Sequence, residues 1–218
     1  MKHLQLGRWD MRFEAKALSA RRGEDLLFRD ISFALGSGEA LVVTGPNGSG
    51  KSTLLRVLAG LLPQEEGTVR FVDGGEDRPA REACHYLGHR NAMKRELTVE
   101  ENLTFWKCFC GNDEKPDRVA VAEAAWEVGL VELLHLPFGY LSAGQQRRMA
   151  FAKLLVAHRP VWILDEPTAA LDVKADEMFA WLCQSHLVSG GILIAATHQP
   201  LGIENAKSLV MKGFEYGE

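Results

Sequence analysis

The sequence predicts an α/β fold in which short apolar strands of a parallel sheet end in loops that carry glycine and polar residues. Two continuous apolar runs, Val161–Leu164 and Ile192–Ala196, are typical of strands buried on both faces of a parallel sheet. A third run, Leu41–Thr44, leads directly into a glycine-rich loop and then a helix. The segment Ala175–Leu187, between the first two runs, fits a crossover helix. The core is therefore expected to alternate strands with helices.

Length and composition favour a single folded domain. The chain has 218 residues, of which 46% are apolar and 25% are charged, so enough apolar surface is present to exclude a disordered chain. The net charge of −4 disfavours a dedicated nucleic-acid binder, which usually carries a basic surface, and no nucleic-acid partner is expected. No apolar run approaches the ~20 residues of a membrane-spanning helix. Residues 1–10 lack the apolar core of a signal peptide, so we expect a protein made in the cytosol.

The other elements are assigned from turn residues and apolar spacing. In the first third of the chain, one predicted helix, Ser52–Leu62, interrupts a series of strands and is stopped by Pro63. The middle third is predicted to be a mostly helical insertion at about 90–158. The predicted strands are Phe13–Leu18, Ile31–Leu35, Leu41–Thr44 and Val69–Val72.

Helices in this insertion are predicted from caps and from periodicity. Thr98 with Glu101, and Ser142 with Gln145, have the spacing of capping boxes, in which two side chains pair with backbone N–H groups at a helix start. Between them, apolar residues recur at three- and four-residue steps, as in an amphipathic helix. These residues are Val119, Ala122, Trp126, Leu130 and Leu133.

A phosphate-binding loop is the most specific motif in the chain. It follows the pattern G-x-x-x-x-G-K-[ST] between an apolar strand and a helix, which is the context that the motif requires. Glycines let backbone N–H groups surround phosphate oxygens, and the helix N-terminus adds unpaired donors. Lys51 is expected to reach the β- and γ-phosphates, and Ser52 to hold Mg²⁺. The predicted nucleotide-binding residues are Gly45, Pro46, Asn47, Gly48, Ser49, Gly50, Lys51, Ser52 and Thr53.

Two further strand ends carry candidate catalytic residues. Asp165 and Glu166 follow a buried strand, where carboxylates are costly unless a cation or hydrogen bonds compensate. Mg²⁺ gives such a reason for Asp165, and Glu166 is then placed to orient or deprotonate the water that attacks the γ-phosphate. His198 follows another strand at the same edge and is expected to sense the γ-phosphate. The predicted catalytic residues are Lys51, Glu166 and His198, and the predicted Mg²⁺ ligands are Ser52 and Asp165.

The remaining cysteines and histidines favour no metal site. Cys108 and Cys110 form a C-x-C pair, but no second pair at zinc spacing accompanies them, so free thiols are expected. His85 and His89 would share one face of a strand, and we interpret them as two histidines at a solvent-exposed edge.

The segment Leu141–Arg148 resembles the LSGGQ signature of the ABC-type ATPase family. An alternative interpretation is a capped helix with an arginine-rich, solvated face. The resemblance implies that ATP and Mg²⁺ bound at one phosphate loop meet the signature of a second subunit, so a homodimer or a pair of ABC subunits is expected. It also implies an aspartate, Asp172, at the dimer seam. The signature residues are Ser142, Ala143, Gly144 and Gln145.

The resemblance covers nearly the whole chain. It implies a P-loop NTPase fold of the ABC ATPase type, with a RecA-like core, an N-terminal antiparallel β subdomain and a helical insertion. Residues 1–218 are then expected to form a single ABC nucleotide-binding domain, with the helical subdomain at about 90–158.

Three positions depart from the family pattern. Ala143 replaces the second signature residue, which keeps close backbone approach possible. In the family, an aromatic residue stacks on adenine. The corresponding position in this chain is near Arg22, whose guanidinium plane can also stack on a base. The glutamine that links Mg²⁺ to the membrane partner falls within 88–91. There Arg90 is closest by alignment, and Asn91 can substitute chemically.

A closer resemblance is to the ATP-binding subunits of the cytochrome c maturation haem exporters. It rests on Tyr86–His89, Leu97–Leu103 and Thr197–Leu201, together with the signature and the carboxylate strand. It implies integral membrane permease subunits as partners and a peripheral location on the cytoplasmic face of the bacterial inner membrane.

Three alternative functions remain at this stage. The first is an ATP-binding subunit of another ABC importer or exporter. The second, a soluble ABC ATPase that acts on ribosomes or DNA, is disfavoured by the acidic charge balance. The third, a P-loop kinase or GTPase, is disfavoured by the signature helix.

Overall fold

Two β-sheets and six α-helices make up the part of the chain that the structure describes. The structure is a computed structural model, and it describes residues 11–88, 90–110, 121–168, 171–199 and 201–212. The strands are β1 (Met11–Arg22), β2 (Asp25–Gly36), β3 (Ala40–Thr44), β4 (Glu66–Asp73), β5 (Glu76–Arg78), β6 (Cys84–Leu87), β7 (Val161–Asp165), β8 (Ile192–Ala196) and β9 (Lys207–Val210). The helices are α1 (Lys51–Leu58), α2 (Ala80–Ala83), α3 (Val99–Cys110), α4 (Val121–Glu127), α5 (Ala143–Leu155) and α6 (Val173–Val188). In these ranges no helix is long and apolar enough to cross a membrane.

The N-terminal sheet is antiparallel, in the order β2-β1-β4-β5. Phe13 on β1 lies opposite Leu35 on β2 and Phe71 on β4, and all three side chains are buried. Such cross-strand apolar contacts stabilise the pairing of the strands. The predicted N-terminal antiparallel β subdomain is confirmed.

The second sheet is parallel, in the order β6-β7-β8-β3-β9. Its central strands are buried on both faces. Since successive side chains along a strand point in opposite directions, alternate residues of one strand pack into different layers. On β7, Val161 and Ile163 pack on the side of α1 and the antiparallel sheet. Trp162 and Leu164 pack on the other side, against α3, α4, α5 and α6. This two-sided burial explains why the strands are continuous apolar runs, and it confirms the predicted parallel core.

Both predicted capping boxes are present. The Thr98 backbone N–H donates to Glu101 Oε2 at 2.8 Å, and the Glu101 N–H donates to Thr98 Oγ1 at 3.1 Å. At α5, Ser142 and Gln145 make the reciprocal pair at 2.8 and 3.2 Å. These local patterns fix the starts of α3 and α5 from sequence alone.

The helix after the phosphate-binding loop is shorter than predicted. It ends at Leu58 rather than at Leu62, so Pro63 does not stop it. The chain turns at Gly60, which has a φ of +68°. A glycine in the left-handed region just after a helix is a common C-terminal signal, and here it acts before the proline does.

The amphipathic helix predicted at 119–133 is too long, and only part of its predicted apolar face is buried, since Leu130 is enclosed and Trp126 is not. α4 ends at Glu127, because the chain turns at Gly129 with a φ of +65°, and Leu130 and Leu133 therefore lie beyond the helix. Trp126 is 67% exposed, and Val119 lies outside the described residues. The side chains that α4 and the following turn bury are Ala124, Ala125 and Val128.

His85 is buried, not at a solvent-exposed edge as predicted, and His89 lies outside the described residues. The His85 Nε2 group donates to the carbonyl oxygen of Ala157 at 2.7 Å. Burial lowers the pKa of His85 to about 3. His186 is also buried and stacks on Trp162 with ring centroids 4.0 Å apart, and burial lowers the pKa of His186 to about 4.

These two histidines predict a loss of stability in mild acid. In the unfolded chain the two histidines take up protons as the pH falls below ~6.5, whereas in the folded chain they do so only near their lowered pKa values. Between these pH values, acid therefore favours the unfolded chain. We expect the free energy of unfolding at pH 5 to fall, relative to pH 7.5, by about 2 kcal/mol for each histidine. Urea titrations at the two pH values measure it. His85→Gln keeps a donor for the Ala157 carbonyl oxygen and should reduce the fall in stability by the part that His85 contributes. An undiminished pH dependence in this variant would contradict the role given to His85.

Candidate functional site

The glycine-rich loop joins the C-terminal end of β3 to the start of α1. Gly45 has a φ of +139°, and a Cβ atom at this position would collide with the carbonyl oxygen of Met211. Gly50, the residue that caps α1, has a φ of +89° and offers no side-chain acceptor. The N–H groups of the first turn of α1 therefore have no side-chain partner from the capping residue, which leaves them suited to an anion.

A cavity of about 240 Å³ lies beside this loop and is lined by residues of the loop, by the start of α1 and by the end of β7. The Lys51 side chain is buried, and its Nζ donates to the carbonyl oxygens of Gly45 at 2.7 Å and Pro46 at 2.9 Å. Because an ammonium group has three donors, the loop holds the charge in place and leaves one donor over. The cavity is lined by Asn47, Lys51, Ser52, Thr53, Asp165 and Glu166.

One polar atom of the loop is buried without a partner. The Ser49 hydroxyl is enclosed, yet its Oγ makes no hydrogen bond within the described part of the chain. An unpaired buried hydroxyl costs about 1–3 kcal/mol. A ligand with several acceptor oxygens, such as a phosphate, would satisfy it.

Asp165 ends β7 at the edge of the cavity and is 1% exposed. Its two carboxylate oxygens accept from different elements. Ser52 Oγ, on α1, donates to Oδ1 at 3.0 Å, and the Tyr86 hydroxyl, on β6, donates to Oδ2 at 3.1 Å. Hydroxyl and carboxylate oxygens are the ligands that Mg²⁺ prefers, so this donor set fits a magnesium ion.

Glu166 and His198 lie next to each other at the same edge of the sheet. Glu166 Oε1 is 3.6 Å from His198 Nε2. The Glu166 backbone has a φ of +48°, in the left-handed region that non-glycine residues rarely adopt. Two hydrogen bonds hold it there, one from its N–H to the Ala196 carbonyl oxygen and one from Arg147 Nη2 to its own carbonyl oxygen, both 2.8 Å long.

Arg147 is buried, which corrects the alternative interpretation of an arginine-rich, solvated helix face. Its guanidinium donates to three carbonyl oxygens, those of Gly88 at 3.0 Å, Glu166 at 2.8 Å and Pro167 at 2.9 Å. One side chain of α5 therefore joins the chain after β6 to the chain after β7. This connection fixes the signature helix relative to the backbone of Glu166.

The signature residues form the exposed N-terminus of α5. Ser142 and Ala143 are exposed, and Gly144 has open space where a side chain would project. The side chains of Ser142 and Gln145 are engaged in the hydrogen bonds of the capping box. Ala143 and Gly144 at the start of the helix thus present the backbone N–H groups that a helix leaves unpaired.

Asp172 caps α6, because its Oδ1 accepts from the Ala175 N–H at 2.8 Å. Its expected place at a dimer seam stays a prediction. The side chain of Arg22 lies outside the described residues, so its expected stacking on adenine stays a prediction as well. Arg90 is exposed and lines a different cavity from the one beside Asp165, while Asn91 is half-buried.

A family model described as "ABC transporter" matches residues 28–169, well over half of the chain. The chain belongs to the ABC transporter family. A relative from Rhizobium meliloti (strain 1021), "Cytochrome c biogenesis ATP-binding export protein CcmA", is 68% identical over 94% of this chain and 99% of its own length. A relative with the same name from Agrobacterium fabrum (strain C58 / ATCC 33970) is 64% identical over 94% of this chain and 97% of its own length. Another, from Brucella melitensis biotype 1, is 54% identical over 93% of each chain.

Solved structures support the ABC fold. A putative ABC transporter ATP-binding protein from Pyrococcus furiosus aligns with a TM-score of 0.74 at 21% identity, over 92% of this chain and 97% of that one. An ATP-binding subunit of an ABC transporter aligns with a TM-score of 0.79 at 23% identity, over 92% of this chain and 85% of that one. The predicted P-loop NTPase fold of the ABC ATPase type is confirmed.

Two residues of this ABC site were not singled out from the sequence. Arg147 precedes the buried Ala150 and Phe151 by three and four positions, which is the spacing of one helix face, and this could have predicted its burial. Tyr86 had no such local signal, because it meets Asp165 across 79 positions of sequence. That contact follows from the pairing of β6 with β7 in the parallel sheet.

Arg147→Lys should destabilise this ABC domain. A lysine keeps the charge but cannot reach three carbonyl oxygens, so buried acceptors lose their partners at a cost of about 2–4 kcal/mol in the free energy of unfolding. Urea denaturation measures the change. Arg148→Lys is the matched control, because Arg148 bonds the carbonyl oxygens of Val128 and Gly129 in more exposed surroundings. Equal effects from the two substitutions would show that the three hydrogen bonds of Arg147 stabilise the domain no more than those of Arg148 do, contrary to this prediction.

Proposed function

We propose that this chain is the ATP-hydrolysing subunit of an ABC transporter complex, the haem exporter used in c-type cytochrome biogenesis. The observation that carries the proposal is the cavity that brings together Lys51 and Ser52, at the start of α1, with Asp165 and Glu166, at the end of β7. The names of the relatives, which describe ATP-binding export proteins of cytochrome c biogenesis, support the transport role.

In this proposal the loop binds the phosphates of ATP and catalysis consists mainly of positioning and charge stabilisation. The loop N–H groups and Lys51 bind phosphate oxygens, and Ser52 and Asp165 hold Mg²⁺, which neutralises charge on the β- and γ-phosphates when bound. Glu166 orients the attacking water and accepts its proton. His198, beside Glu166, contacts the γ-phosphate. The Glu166 side chain lines the cavity beside the loop, as this role requires.

A second copy of the chain, or a second ABC subunit, completes each site. The N-terminus of α5 is exposed and presents unpaired N–H groups at Ala143 and Gly144. Such a helix end attracts an anion, and the γ-phosphate of ATP held by the partner supplies one. Two subunits then close on two ATP molecules, with Asp172 at the seam, and reopen after hydrolysis.

Glu166→Gln should separate binding from hydrolysis. The amide keeps the shape of the side chain but cannot accept a proton, so the ATPase rate should fall about 10²-fold or more while ATP affinity stays unchanged. A coupled ATPase assay and a fluorescent-nucleotide titration measure the two quantities. Glu177→Gln, an exposed position on α6, is the control. Wild-type turnover in Glu166→Gln would remove Glu166 from the mechanism.

The permease is proposed to dock at a groove formed by the turn after α1 and by α2, β6 and α3. This groove, called the basic groove here, encloses about 550 Å³. Four cationic side chains and one glutamate line it: Arg81, Arg90, Lys153, Arg159 and Glu82. Arg159 Nε is buried without a partner among the described atoms. Phe109 of α3 lines the groove and is exposed, and its ring stacks on the exposed Phe105 with centroids 5.8 Å apart. A segment with an apolar face and acidic groups complements such a surface.

Affinity purification from membranes in mild detergent tests this partnership. The tagged chain should recover a permease of the haem pathway, and Phe109→Asp should reduce the yield severalfold, because it replaces an aromatic side chain of the groove with a charge. Trp181→Asp is the matched control, since Trp181 is 57% exposed beside a separate cavity between α5 and α6. Recovery of an unrelated permease would contradict the haem assignment, and equal losses in both variants would contradict the groove. A docked permease would hold the chain at the cytoplasmic face of the bacterial inner membrane.

A further inference from the structure

The Tyr86 hydroxyl lies between two charged groups. It donates to Asp165 Oδ2 at 3.1 Å, and Arg56 Nε donates to the phenol oxygen at 3.4 Å. A guanidinium can only donate and a phenol has one proton, so the Arg56 contact leaves that proton for the carboxylate. The direction of the Tyr86–Asp165 hydrogen bond is therefore fixed by the neighbouring cation.

Because of this hydrogen bond, the two carboxylate oxygens of Asp165 have different partners. Oδ2 is taken by Tyr86, while Oδ1 lies 3.0 Å from Ser52 Oγ. Without the phenol, the carboxylate can turn about its last side-chain bond, a torsion with a broad, shallow profile. Tyr86 thus restricts which oxygen faces Ser52.

The backbone around Tyr86 is held as firmly as its hydroxyl. The Tyr86 carbonyl oxygen accepts from Lys153 Nζ at 3.1 Å, and Lys153 is buried over the Trp106 ring, 4.6 Å from its centroid. Two residues on, the Gly88 carbonyl oxygen accepts from Arg147. The phenol is therefore attached to a strand end whose backbone is held at two points by side chains of α5.

We propose that Tyr86 is a positioning residue for the metal-binding carboxylate. Its phenol holds Asp165 so that Oδ1 stays beside the Ser52 hydroxyl, where both oxygens would be available to a bound Mg²⁺. The inference rests on the proposed function, which assigns the metal to Ser52 and Asp165. Tyr86 also lines the basic groove, so it is a direct side-chain connection between the groove and the metal ligands.

Nucleotide binding with and without metal tests this role. The affinity of purified protein for trinitrophenyl-ATP is measured in excess Mg²⁺ and in EDTA, and the ratio of the two affinities reports the metal contribution. Loss of one hydrogen bond to a charged acceptor should lower this ratio in Tyr86→Phe about five- to tenfold, with the EDTA affinity unchanged. A ratio equal to that of wild type overturns the proposal. Equal losses in Mg²⁺ and in EDTA overturn it too, because they indicate general damage to the site.

Two further variants separate this inference from the function on which it rests. Tyr140→Phe removes the same atom from a phenol that is 80% exposed and should leave the ratio unchanged. Asp165→Asn should lower the ratio by itself, and adding Tyr86→Phe should then have little further effect, because Tyr86 acts through Asp165. Additive losses contradict the positioning role. An Asp165→Asn variant with the wild-type ratio contradicts the metal assignment itself.

Discussion

One buried carboxylate, at the end of an apolar strand, holds together the elements that form the phosphate-binding site. Asp165 is 1% exposed, and every residue of β7 is buried. An ionised group in such surroundings is strongly destabilising unless hydrogen bonds or a cation compensate. Ser52 and Tyr86 provide those hydrogen bonds from α1 and β6. The carboxylate thus joins the phosphate-binding loop, the central sheet and the neighbouring strand at one point.

A second buried charge extends this arrangement to the signature helix. Arg147 bonds the backbone on both sides of the site, at Gly88 and at Glu166 and Pro167. If α5 moves as a rigid body, it must either break these hydrogen bonds or carry the backbone of Glu166 with it. A movement of α5 can therefore alter the position of Glu166, and a ligand bound beside Glu166 can act on α5 in the reverse direction.

The sequence predicted those features whose causes are local, and failed where the partner lies far along the chain. Capping boxes and two-sided apolar strands depend on neighbouring residues, so their patterns could be read directly. Trp126 was misplaced because periodicity does not show that Gly129 ends the helix and that small alanines form its buried face. The burial of His85 and the contact of Tyr86 with Asp165 arise from tertiary packing, with partners 72 and 79 positions away.

A crystal structure of the chain with Mg²⁺ and a non-hydrolysable ATP analogue would show whether Asp165 holds the metal. We expect a metal ion coordinated by Ser52 Oγ and held at Asp165, with the Tyr86 hydroxyl still on Oδ2 and phosphate oxygens in contact with Lys51. A metal ion bound elsewhere, with Asp165 distant from it, would contradict this assignment.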